Sequence, residues 1–187
     1  GGVIDVFCRI QSLHKQGVRI HLHCFDYGRG TQKELEQYCE SVSYYQRKRS
    51  IFHLFSPLPF TVRSRKNRQL LQELQKDDAP ILFEGHHSCY YLDHPALKER
   101  KKWVRTHNVE GDYYKALSKS SSSFWKSMYY RREARKLRRF EKILQEADAI
   151  FPISKKDVNY YYQFNSNCFW LKPFHPYQAA SANSPTE

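Results

Sequence analysis

The sequence contains no apolar run near the ~18 residues a spanning helix needs, which argues against an integral membrane protein. No basic start leads into a short apolar block, so no secretory signal is expected in these residues. No C-x-x-C pair occurs, and the five cysteines at 8, 24, 39, 89 and 168 are scattered and odd in number. That pattern excludes a disulfide framework and implies reduced thiols in a cytoplasmic protein. Acidic residues are also scarce, with 19 Asp and Glu against 31 Lys and Arg, a formal net charge of +12. What is present is apolar material for a packed core: 40% of the 187 residues are hydrophobic and 16% aromatic. A disordered or collagen-like chain is therefore excluded, and the length allows one ordinary domain or two very small ones.

The positive charge is concentrated. Between Lys98 and Lys142 there are 15 basic and 5 acidic residues, a local net of +10. Such a segment attracts phosphate-bearing partners: nucleic acid, anionic lipid or a nucleotide diphosphate. It is equally the signature of a solvated helix face.

Hydrophobic periodicity predicts strands alternating with helices. The chain opens with Gly1-Gly2 and runs into a helix whose Val6, Ile10, Leu13 and His14 share one face, stopped by Gly17. Residues 19–25 alternate as a strand, Thr31 is positioned to cap a short helix to about residue 40, and residues 41–46 form a further strand. Ser56-Pro57-Leu58-Pro59 is a loop, followed by a helix carrying Leu70, Leu71 and Leu74. Residues 80–84, ended by Gly85, read as a buried parallel strand, and residues 102–107 as another. A long helical region over 109–147, interrupted at 120–123, precedes a buried strand at 149–153, a helix capped by Ser154 and a last strand at 167–171.

This alternation implies an α/β fold with a parallel sheet covered by helices on both faces. Ligands of such sheets bind beyond the carboxyl ends of the strands. The residues there are Asp26, then Glu84, Gly85, His86 and His87, then Thr106, His107 and Asn108, then Ser154. His, Glu and Asn on one rim suit a hydroxylated ligand. A Gly pair opening a helix normally ends the first strand of a doubly wound sheet and turns its amides to a phosphate, so a strand before Gly1 is expected.

Two longer motifs carry a family resemblance. The run Arg105-Thr106-His107-Asn108-Val109-Glu110-Gly111-Asp112-Tyr113-Tyr114 resembles the Arg-x-His-Asn-Val-Glu-x-x-Tyr-Tyr signature of bacterial nucleotide-sugar glycosyltransferases of family 4, group 1, with the GT-B fold. The stretch Phe140-Glu141 through Ala147-Asp148-Ala149-Ile150-Phe151-Pro152-Ile153-Ser154 to Asp157 is similar to the one closing their first Rossmann-like domain. Gly1-Gly2 and the first helix resemble their first loop and helix.

The resemblance implies a single GT-B N-terminal domain over residues 1–176, with 177–187 a linker or tail toward a C-terminal donor domain. Nothing after Pro176 supplies that second domain or its Glu-x7-Glu motif. The implied activity is a retaining hexosyltransferase of polysaccharide biosynthesis. Its co-substrate would be a nucleotide sugar, its acceptor a glycan or lipid-linked glycan, and it would need no cofactor. The full-length protein would be the enzyme, and these residues alone are expected to be inactive. By the same resemblance His107 stands near the transferred sugar as the catalytic candidate, and Gly1 and Gly2 face the donor diphosphate. Glu84, His86, His87 and Asn108 are acceptor-side candidates, resting chiefly on topology. Charge stabilisation at the departing phosphate matters more here than a strong side-chain base. Arg105 is a lesser candidate for that task.

His86-His87-x-Cys89-x4-His94 matches no standard zinc spacing, so no metal is expected. Glu110 and Asp112 suit the positive end of the following helix. Trp125, Met128, Tyr129, Leu137, Phe140 and Leu144 recur at helical spacing among basic residues. That stripe packs on the sheet, while Arg131, Arg132, Arg135, Arg138 and Arg139 are candidates for contact with phosphate or an anionic membrane. The expected location is cytoplasmic, peripheral at the inner face of the membrane. The alternative function is a basic nucleic-acid-binding module. No RNP, zinc-finger or helix-turn-helix signature supports it, and no nucleic-acid partner is expected.

Overall fold

The computed structural model describes residues 2–28 and 30–175. Gly1 and the tail 177–187, to which the sequence assigns a donor-phosphate contact and a linker, lie outside the described residues.

Helix α1 (Gly2–Lys15) is followed by Gly17, whose φ of 75° suits the left-handed turn after a helix. Parallel strands β1 (His21–Asp26) and β2 (Ser41–Gln46) pair with Cys24 opposite Tyr44. Between them lies a short 3-10 helix (Lys33–Gln37), whose N-cap is Gln32, not Thr31. Helices α2 (Phe60–Arg63) and α3 (Arg68–Leu74) come next. The Asn67 side chain caps α3 by accepting from the Leu70 amide at 3.1 Å.

A second parallel sheet runs in the order β3 (Ile81–Glu84), β4 (Lys102–Thr106), β5 (Ala149–Pro152). Val104 stands opposite Phe83 on one side and Ile150 on the other. The crossover from β4 to β5 holds helices α4 (Glu110–Ser120) and α5 (Phe124–Phe140) and a 3-10 turn (Glu141–Glu146). Helix α6 (Lys155–Tyr161) follows β5, with Ser154 capping it by accepting from the Lys156 amide at 3.2 Å. The expected last strand at 167–171 contracts to one parallel bridge, Ile150 with Cys168.

The fold is thus α/β and Rossmann-like, with parallel strands flanked by helices. Its core gathers apolar residues from β2, α3, β3, β4, β5 and α6, with Leu92, Leu97 and Leu144 from the connections. None of the described helices is long and apolar enough to cross a membrane.

The structure corrects the expected packing face of α1. Asp5, Cys8, Arg9 and Ile10 are buried, while His14 is exposed and Val6 and Leu13 are only partly covered. Two charged residues go inward because ion-pair partners wait for them there. The stripe on α5 is corrected as well. Leu137 and Leu144 are buried, but Trp125 and Met128 face solvent. Lys136 leaves the basic face: it is buried, 2.7 Å from Glu133, and donates to the Leu54 carbonyl at 3.0 Å.

Candidate active site at the carboxyl ends of the strands

Strands β3 and β4 end side by side. Glu84 is the last residue of β3, and Arg105 stands opposite it in β4. His107 follows β4 directly and swings toward Glu84, with Nε2 2.5 Å from Oε1. The other carboxylate oxygen of Glu84 receives Arg9 from α1. Glu84 therefore fixes the imidazole and is itself fixed by a guanidinium. Its acceptor oxygen makes Nε2 the donating nitrogen and leaves Nδ1 for a ligand. A Cβ built on Gly2 would lie 3.6 Å from His107 Nδ1, so the free edge of the ring faces the first turn of α1. That turn is the positive end of a 14-residue helix.

Beneath this pair is a buried anchor. Arg105 is 0% exposed and holds Asp5 of α1 in a two-pronged contact, Nε at 2.9 Å and Nη2 at 3.0 Å. Nη1 and the second N–H of Nη2 reach the carbonyls of Leu171 and Lys172, each at 3.1 Å. The Phe174 amide donates to Asp5 at 2.6 Å. Burial opposes charge on Asp5, but the Arg105 hydrogen bond, the Phe174 amide and the charges of Arg105 and Arg9 outweigh it. The carboxyl is held below its ordinary value. One ion pair thus ties α1, β4 and the segment after the last bridge to one point.

Asp5, Glu84 and His107 offer ligand atoms all within 4.8 Å of one another. They are the described residues best placed to hold a metal. Both carboxylates already face guanidinium groups, and a cation would have to displace Arg9 and Arg105. The donor set favours an ion-pair network over a metal centre.

A second group lines the same rim. Arg65, 5% exposed, donates to the Tyr27 hydroxyl just past β1 and to the Thr61 carbonyl. Burial, above all, lowers its pKa to about 10. Arg47, just past β2, lies over the Tyr27 ring at 5.1 Å and donates to Ser64 Oγ at 2.8 Å. Burial raises the Glu110 carboxyl, with the charges of His107 and Arg65 acting the other way. Two arginines, two histidines and a partly buried carboxylate therefore border one rim.

The sequence candidates separate here. His107 and Glu84 meet, and Gly2 stands beside them. Asn108 is exposed, and its carbonyl accepts from the Tyr161 hydroxyl at 2.7 Å. His87 folds back over Gly85, where a Cβ would come within 2.6 Å of its ring. Burial first, then the charge of Arg65, pushes its pKa down to about 3, so it is neutral near pH 7. His86 is withdrawn from the rim: it is 1% exposed, stacks on Phe140 at 5.0 Å between ring centres, and burial lowers its pKa to about 4. It packs in the interior, away from any acceptor. Asp5, Arg9, Arg47, Arg65 and Tyr27 escaped the sequence reading. The one local signal was an i, i+4 acid–base pair, Asp5 with Arg9, at positions the helix needs for packing.

Among known proteins, the chain is 29% identical over 166 residues to a Klebsiella pneumoniae protein described as an uncharacterized 44.6 kDa protein in the cps region. The match covers 85% of this chain and 39% of that protein, so the chain spans about two fifths of the length of its relative. No family model matches the chain. No solved structure matches it either.

Proposed function

We propose that this chain is the acceptor-side domain of a retaining glycosyltransferase. It would move a sugar from a nucleotide-sugar donor to a glycan or lipid-linked acceptor of polysaccharide biosynthesis. The observation that carries the reading is the Glu84–His107 pair at the carboxyl ends of β3 and β4, with the free ring edge turned to the first turn of α1. The cps-region relative supports the polysaccharide context.

In this reading the donor diphosphate rests at the start of α1, where the Gly2 backbone and the helix dipole favour negative charge. His107 hydrogen-bonds a hydroxyl of the transferred sugar. Glu84 keeps the ring from turning, and Arg9 holds the Glu84 carboxylate in place. The anomeric carbon–phosphate oxygen bond breaks, a bond to the acceptor oxygen forms on the same face, and the acceptor proton passes to the departing diphosphate. Arg47, Arg65, His87 and Asn108 border the acceptor side. Arg105 is fully buried and acts by holding α1 in place through Asp5.

The sheet order supports one further component. The pairs β2-β1 and β3-β4-β5 fit a doubly wound sheet with one more parallel strand between β1 and β3. Donor binding and turnover require a second domain after residue 187. The test is release of nucleoside diphosphate from a panel of nucleotide sugars. The chain joined to its own continuation turns over donor, and residues 1–187 alone do not. Robust donor turnover by these 187 residues overturns the proposal.

A further inference from the structure

Helices α4 and α5 form a hairpin. Gly111, early in α4, packs on Arg138, late in α5, where a Cβ would lie 2.7 Å from Arg138 Cγ. At the other end the Ser127 hydroxyl donates to the Ser118 carbonyl at 2.6 Å. The helices are therefore antiparallel, and the connection at 121–123 is the tip of the hairpin, with Ser122 exposed.

That tip presents Phe124 at 72%, Trp125 at 73% and Met128 at 50% exposure. Single exposed apolar residues are ordinary, but three together at one helix end are not. Behind them runs a groove of about 450 Å³ between the helices, bordered by Lys115, Lys119, Arg131, Arg135 and Arg138. Phe124, Met128, Arg131, Arg135 and Arg138 follow i, i+4, i+7, i+11 and i+14 spacing, so apolar tip and cationic groove share one face of α5. Glu133 is the one acidic residue between Lys115 and Arg139, and it is buried against Lys136. Eight exposed Lys and Arg side chains lie in that stretch, and of these Arg138 is paired with the exposed Asp112 at the start of α4.

We propose that this hairpin docks on an anionic lipid bilayer, with Phe124, Trp125 and Met128 at the boundary of headgroups and acyl chains and lipid phosphates in the cationic groove. A two-fold contact with a second copy would set like charges against each other. A nucleic-acid surface would interleave aromatics with cations, whereas here the apolar side chains cap one end of the cationic face. The inference is independent of the glycosyltransferase reading, since it uses no residue of the strand-end site.

The test uses residues 1–187 with vesicles of phosphatidylglycerol and phosphatidylcholine, against phosphatidylcholine alone. Binding is read by co-sedimentation and by quenching of tryptophan fluorescence from bromine-labelled acyl chains. The expected result is binding to the anionic vesicles that weakens with salt, with quenching lost in Trp125→Ala while Trp103 and Trp170 still report the fold. Arg131→Gln with Arg135→Gln weakens binding about 30-fold, two cations at the surface. No binding to anionic vesicles at low salt overturns the proposal. So does full quenching in Trp125→Ala, or tight binding to random oligonucleotides with no lipid quenching. Self-association that buries Trp125 overturns it as well.

Discussion

Asp5 and Arg105 are worth most as a pair. Removing one partner strands a charge that has no route to water. Asp5→Asn is expected to lower stability by about 3–5 kcal/mol in denaturant titrations. The Asp5 carboxyl is held below its unfolded value, so its stabilisation is complete above pH 3.8 and is lost as pH falls through the folded pKa. His86 and His87 act in a higher window. Both are pushed down by burial, to about 4 and about 3, from 6.5 when unfolded. The unfolded chain takes up protons below pH 6.5 while the folded chain does not, so stability falls as pH drops from 6.5 toward those values. His86→Phe keeps a ring against Phe140 and removes one titration. Chemical denaturation between pH 6.5 and 5 should therefore show a shallower loss in the variant, by about 1 kcal/mol per pH unit. An unchanged slope contradicts this account of His86.

At the scale of elements, the strand ends set the site. Gly85 leaves β3 at φ 77° and ψ 151°, a conformation essentially reserved for glycine, with the His87 ring folded over it. Gly85→Ala is expected to cost on the order of 1–3 kcal/mol in thermal or denaturant unfolding and to displace His87 in its histidine NMR signals. The free edges of the sheets make a second prediction. Ile81 donates to the Lys101 carbonyl just before β4 and Gly85 to the Arg105 carbonyl within it, so by strand alternation the Leu82 and Glu84 amides point to the edge that lacks a strand partner among the described residues. On the proposal of an intervening strand, these two amides exchange rapidly in residues 1–187 and become protected when a strand preceding Gly1 is supplied. Strong protection in residues 1–187 alone removes the need for an intervening strand.

The elements themselves were largely legible. Strand β2 has its expected bounds of 41 and 46, and the break expected at 120–123 is the hairpin tip at 121–123. Residues 167–171 show the limit, since one apolar run supports either a strand or a single bridge. Within the candidate site, Glu84 and His107 could be found because a strand end is marked by local pattern. Asp5, Arg9, Arg47 and Arg65 could not, because their partners lie far along the chain, as Arg105 lies 100 residues from Asp5. His86 was misplaced for a related reason. Its neighbour Gly85 turns the chain, and that turn sends the next side chain inward onto Phe140.

For the whole molecule, two surfaces divide the chemistry. The strand ends hold a closed network of ion pairs around one oriented imidazole, and the α4–α5 hairpin carries the exposed charge. The central claim is that Glu84 and His107 form the transfer centre of a glycosyltransferase. The most direct measurement is the rate of nucleoside diphosphate release on acceptor glycosylation by the chain joined to its own continuation, compared with its His107→Ala variant. The account predicts that kcat falls about 10²–10³-fold in the variant while the unfolding midpoint stays near that of the parent. Equal kcat in the two proteins, with the donor and acceptor saturating, would contradict it.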